Sequence, residues 1–84
     1  MQTFLRLEEI KLTLSDDENI LGSKIQKILQ LSERDIISYK IVKKSIDSRE
    51  KSNILFIYSV DVDLSKKDIN LTKPNMIKHR AKWV

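Results

Sequence analysis

Residues 54–64 constrain this chain more than any other stretch. Ile54, Phe56, Tyr58, Val60, Val62 and Leu64 all fall on one parity. Side chains of a strand alternate between faces with a period of two, so this run presents one unbroken apolar face. On the other parity Leu55 and Ile57 are apolar, while Ser59, Asp61 and Asp63 are polar. A strand with this much apolar surface needs a neighbour on each side. The pattern predicts a central strand over residues 53–64.

The rest of the chain must supply those neighbours from little material. It has 84 residues and no cysteine. One domain of this size buries about 60–65% of the surface its unfolded form exposes, so the core is thin. Disulfides and cysteine-based metal sites are excluded. The longest apolar run, Ile54 to Tyr58, is far short of the roughly 20 residues of a membrane-spanning helix. The opening MQTFLRLEEIKL lacks the basic-then-apolar order of a signal peptide. The expected setting is cytoplasmic.

Residues 4–14 read as another strand, with a fault in it. Leu5 and Leu7 share one parity, whereas Ile10, Leu12 and Leu14 share the other. A β-bulge at Glu8–Glu9 would return both sets to one core, the alternative being two short strands with a kink. Ser15-Asp16-Asp17-Glu18 is a capping-box pattern, and Leu21, Ile25, Ile28 and Leu29 follow helical spacing. Together they predict a helix from residue 15 to about 29. Gly22 inside it either weakens the helix or permits close packing on the sheet. Ser32-Glu33-Arg34-Asp35 predicts one further helical turn. Residues 37–44 read as a half-buried strand with Ile37, Tyr39 and Ile41 inward. Residues 47–51, DSREK, lack the Asn-Gly type of tight turn and predict a longer hairpin connection.

This β-α-β-β order, with the third strand central, predicts an α+β fold. The third strand inserts between the first two, antiparallel to both, and the helix covers one face. That is a split β-α-β unit, half of a ferredoxin-like sandwich. The domain spans residues 1–72, with a short helix from Ser65 to about Asn70. Residues 73–84 form a basic arm or linker, or else a fourth strand, and Trp83 needs a partner surface in its own domain or another.

Chemical candidates are few. The net charge is +4, on 16 basic and 12 acidic residues. Part of the excess lies in Lys73, Lys78, Arg80 and Lys82, with no acid among residues 73–84. A single glycine, Gly22, and a single proline, Pro74, leave no phosphate-cradling loop. His79 is the one histidine; Asp61 and Asp63 could join it on a metal, but a solvated strand end is the ordinary place for such carboxylates. No G-x-S-x-G elbow is present. The sequence therefore offers no catalytic, cofactor-binding or metal-binding residue. Within residues 43–49 two readings stand. Asp47 and Arg49 tie the connection to itself, or Lys43, Lys44 and Arg49 together contact an anion or a partner, with Arg49 foremost. The outward sheet face, Leu55, Ile57 and Ser59, is aliphatic and small rather than a base-stacking platform, which disfavours nucleic acid. It predicts that another domain or chain covers that face.

The segment KKSIDSREKSNILFIYSVDVDL resembles the N-terminal region of a bacterial family of uncharacterised FAD-dependent dehydrogenases, also called NAD(FAD)-utilising dehydrogenases. Lys44-Ser45-Ile46-Asp47-Ser48-Arg49 carries the likeness, with Ser48 where the family has alanine, followed by an apolar strand through Val60-Asp61-Val62. The opening, Leu7 to Leu14 and then Asp16, Asp17 and Glu18, is similar too. The resemblance implies a non-catalytic accessory domain ahead of a flavin domain, which it packs against or regulates. FAD, with NAD(P)H as a further candidate, belongs to the full-length protein and not to this stretch. Lys44, Ser45, Asp47 and Arg49 become the candidate anion or domain-interface contact. The partner is the flavin domain or another protein surface, a homo-oligomer being the alternative, with no membrane involved.

Overall fold

The computed structural model describes residues 4–50, 52–66 and 68–84. The elements are β1 (Phe4–Thr13), α1 (Ile20–Leu29), a 3-10 turn (Glu33–Asp35), β2 (Ile36–Asp47), β3 (Leu55–Leu64), α2 (Pro74–Lys78) and β4 (Lys82–Trp83). The strands form one sheet in the order β2-β3-β1-β4, antiparallel throughout. The protein is thus a small α+β domain with β3 inside the sheet, where its apolar pattern puts it. Leu21, Ile25 and Leu29 of α1 and Met76 of α2 share one cluster with Leu5, Leu7, Ile10 and Leu12 of β1 and Tyr58, Val60, Val62 and Leu64 of β3. Both helices therefore cover the same face. None among the described residues is long and apolar enough to cross a membrane.

The expected bulge is present. The register passes from Leu7↔Val60 to Ile10↔Tyr58, so Glu8 and Glu9 together stand opposite Ser59. Glu9 takes a φ of 61°. Two residues against one is the definition of a β-bulge. Its effect is that Leu5, Leu7, Ile10 and Leu12 are all buried on one side.

The capping box does not form. Asp16 accepts the Thr13 N–H at 2.9 Å, and Ser15 Oγ lies 3.0 Å from Thr13 Oγ1. Asp17 accepts the Asn19 N–H at 3.0 Å, and Glu18 accepts the Tyr58 hydroxyl at 3.0 Å. These side chains close the end of β1 and the following turn, so α1 starts later, at Ile20, without a side-chain cap. Short polar side chains bond nearby backbone in turns as readily as at helix starts, so the two compete for them.

β2 is longer than residues 37–44 and its register shifts after Ile36 and after Ile41. The first shift turns Ile37 outward, 63% exposed, against the expectation that it faces in. Tyr39 and Ile41 remain on the helix side, opposite Val62 and Val60. β2 lies at the sheet edge. Its two irregularities and its lysines at 40, 43 and 44 are devices that discourage a further strand from pairing there.

No helix forms over residues 65–66 and 68–70; Lys67, part of that expected start, lies outside the described residues. The second helix comes later, at Pro74, a residue suited to the first helical turn because its missing N–H is not needed there. Of the two arrangements open for the C-terminal stretch, the fourth strand is the one adopted. Leu5 pairs with Trp83 and Arg6 with Lys82. Phe4 and Val84 exchange backbone bonds of 3.2 and 2.8 Å. Trp83 packs on the core of its own domain.

A methyl group added at Gly22 would lie 3.6 Å from Tyr39 Cε1, an ordinary contact. Close packing on the sheet therefore does not require glycine here. Gly22→Ala should raise stability by about 0.5–1 kcal/mol in equilibrium urea unfolding, the helix-interior cost of glycine. A loss of stability would mean that Tyr39 cannot absorb the methyl.

Candidate functional site

With both helices on one side, the other sheet face is open. A row of charged residues crosses it on all four strands: Lys82, Arg6, Asp61 and Lys40 stand in register. Arg6 Nε donates to Asp61 Oδ1 at 2.7 Å and Nη2 to Oδ2 at 3.0 Å. This is the two-pronged geometry in which an arginine–carboxylate pair is strongest. The bond to Asp61 holds the Arg6 guanidinium above its ordinary value. Asp61 is only 4% exposed, although no helix covers it. The expectation of a solvated strand end at Asp61 is thereby corrected: neighbouring strands and Arg6 enclose it. Lys40 adds a cation 5.4 Å over the Phe4 ring. The outward face is likewise not simply aliphatic. Leu55 and Ile57 are apolar at the hairpin end, but Ser59 and Asp61 follow as buried polar residues.

The candidate contact residues separate. Lys44 pairs in register with Tyr58 and so faces the helix side. Its ammonium sits 4.7 Å over Phe56 and 5.5 Å over Tyr58, and 3.5 Å from Glu18 Oε2. Contact with Tyr58 and then the charge of Glu18 raise its pKa above the ordinary lysine value. Lys43 pairs with Ser59, Ser45 with Ile57 and Asp47 with Leu55, all on the open face. Ser45 Oγ donates to the Ile57 carbonyl at 3.4 Å. Arg49 binds Asp47 through Nε at 3.0 Å, Nη2 at 2.7 Å and its backbone N–H at 3.2 Å. Lys43, Lys44 and Arg49 thus do not converge on one anion, because adjacent strand residues point to opposite faces. The self-tied corner is what forms.

Lys11, Asp47, Arg49, Glu50, Asn53 and Leu55 line a shallow hollow beside this corner, about 340 Å³ in volume. Among the described residues no three histidine or carboxylate side chains are placed to hold a metal ion. The Arg6–Asp61 pair escaped the sequence reading. The available signal was register: both residues lie on the outward parity of the two strands that the apolar pattern makes neighbours.

Residues 5–63, well over half of the chain, match a family described as a Domain of unknown function (DUF8436). The match runs from β1 into the last turn of the β3 pattern and so includes the bulge, the corner and Asp61. A protein of Clostridium beijerinckii described as an uncharacterized protein is 41% identical over 69 residues, which is 82% of this chain and 13% of that protein. The chain therefore spans about an eighth of that relative's length. No solved structure matches.

Arg49 holds the Asp47 carboxyl down to about 2, first by its side-chain bonds and then by its backbone amide. A depressed carboxyl stabilises the fold above its unfolded value of about 3.9, and that contribution disappears as pH falls toward the folded value. Arg49→Ala should move the Asp47 midpoint upward, read by NMR titration of the carboxyl carbon. An unchanged midpoint would place the cause elsewhere.

Proposed function

The chain belongs to that family of unknown function, and on this premise we propose that it is a non-catalytic accessory domain of a longer cytoplasmic protein, an FAD-dependent dehydrogenase. One observation carries the first half of the reading: the matched stretch makes up 13% of the Clostridium beijerinckii protein. Sequence like this occurs in a polypeptide nearly eight times its length. The second half rests on the likeness of Lys44-Ser45-Ile46-Asp47-Ser48-Arg49 and Val60-Asp61-Val62 to the front of the flavin dehydrogenase family. We read β1-α1-β2, with β3 between its strands, as the split β-α-β unit of a ferredoxin-like sheet.

The chain's own residues do not fit a dinucleotide fingerprint. That loop needs several glycines to let backbone approach a pyrophosphate, and the one glycine here, Gly22, sits inside α1. FAD binding and any hydride chemistry, with or without NAD(P)H, are therefore assigned to the remainder of the longer protein. The open face is the surface offered to it. The row from Lys82 to Lys40 presents fixed charges for register, and Leu55 and Ile57 offer apolar contact at the hairpin end. Interfaces within a chain are commonly of this mixed polar kind.

Flavin absorbance and fluorescence test both halves. The longer protein should purify with stoichiometric FAD, whereas the 84-residue chain should leave the isoalloxazine fluorescence of added riboflavin, which carries no phosphate, unchanged. A longer protein that takes up no flavin would overturn the dehydrogenase reading. A short chain that binds isoalloxazine tightly would overturn the accessory role.

A further inference from the structure

A cleft of about 460 Å³ lies between the bulged part of β1 and the helices α1 and α2. Ile10 and Ile28 form its apolar lining, Lys24 and Lys27 approach from α1, and Lys78 and His79 approach from the end of α2. Glu9 is the one acid along its wall.

The cleft exists because β4 pairs with β1 only at Leu5 and Arg6. Beyond that point the chain turns back into α2, the Ala81 N–H donating to the Met76 carbonyl at 2.9 Å, and His79 takes the place of a partner strand. The Glu8 N–H donates to the His79 carbonyl at 2.7 Å. His79 Nδ1 lies 2.9 Å from the Glu8 carbonyl oxygen and, facing an acceptor, donates. Lys24 Nζ donates to the Lys11 carbonyl at 3.0 Å. The imidazole and one ammonium are thus tethered to backbone, which positions them.

The charge balance around the hollow is positive, with Lys11, Lys24, Lys27 and Lys78 against Glu9. Arg6, Lys44 and Arg49 each have a carboxylate partner. Among the described residues Lys24, Lys27 and Lys78 form no direct ion pair, although Asp16 lies near enough to Lys24 to feel its charge. Lys24 and Lys27 are also three apart on one helix, a spacing at which like charges repel. A net-positive cluster around an apolar-lined hollow is what an anionic ligand with an organic body would relieve.

We propose that this cleft binds a small phosphate-bearing molecule carrying at least two negative charges. Lysine ammoniums serve as mobile point charges for phosphate oxygens, and Ile10 and Ile28 would meet the organic part. A small molecule is favoured over a nucleic-acid backbone. Affinity for a polyanion grows with the number of phosphates neutralised, and this cluster is local, with Glu9 set against its extension along β1. The proposal is independent of the flavin reading, because its readout is at the cleft rather than in the isoalloxazine signal.

The test is titration of inorganic pyrophosphate, and separately of ADP, into the 84-residue chain at low salt, followed by amide NMR. Shifts should saturate at one ligand per chain and cluster at Lys24, Lys27, Lys78 and His79. The double variant K27E/K78E, altered at exposed positions, should bind at least about tenfold more weakly with unchanged circular dichroism, and R49E should stay within about twofold. Several results would overturn the site. These are an absence of saturation, shifts centred on the open sheet face, or an equal loss in R49E, which would mark a general charge effect. Displacement of pyrophosphate by a single-stranded oligonucleotide at far lower phosphate concentration would make the polymer the ligand and overturn it also.

Discussion

Glu8 and Glu9 stand together opposite Ser59, and that one extra residue sets the geometry of the molecule. Without it, Leu5 and Leu7 would face away from Ile10 and Leu12, and β1 could bury only half of its apolar side chains. The magnitudes favour the bulge. A non-glycine residue in the left-handed region costs roughly 1–2 kcal/mol, and Glu9 is in that region. Burying a leucine or isoleucine returns about 1.5–3 kcal/mol each, and both Ile10 and Leu12 depend on the correction. The same bulge carries the Glu8 backbone that bonds His79 and the Glu9 that stands on the cleft wall. One local irregularity thus gives the sheet a single-faced core and supplies part of the cleft at its edge.

Much of this was legible in the sequence because it followed from parity. The change of apolar parity between Leu7 and Ile10 can be repaired only by an odd insertion or a kink, and the unbroken parity of residues 54–64 demands the sheet interior. What parity could not show was competition among polar groups. Ser15, Asp16, Asp17 and Glu18 spell a capping box, yet Thr13, Asn19 and Tyr58 claim three of these side chains and Thr13 also claims Ser15. In β2 the residues 36–46 are apolar on both parities, so the alternation did not reveal the two register shifts that turn Ile37 out. Sequence pattern alone places Asp61 at a solvated strand end, because its burial depends on Arg6, a residue far away in sequence and adjacent only after the strands pair. The candidate corner was partly legible. The Asp47–Arg49 tie is a local contact across two residues, whereas the separation of Lys43 from Lys44 follows once both are placed in one strand.

Charge is distributed by face. On the open side Arg6 is answered by Asp61 and Arg49 by Asp47. Such pairs fix register and orientation more than they add stability, since an exposed ion pair contributes little and a buried one must offset its desolvation. A surface of that kind suits recognition of a neighbouring domain, consistent with the proposed accessory role. At the β1 edge Lys24, Lys27 and Lys78 outnumber Glu9 around the cleft, which suits a diffusible anion. The two surfaces lie on different sides of the sheet or its edge, so one domain can offer both without conflict.

The most direct measurement compares Glu9→Gly with Glu9→Val by equilibrium unfolding. If Glu9 holds a left-handed bulge, glycine should match or exceed the parent, by up to about 1 kcal/mol, and valine should fall below it. The reverse order, valine at or above the parent and glycine below, is what a regular strand would give. That result would contradict the bulge, and with it the single-faced core and the β1 wall of the cleft.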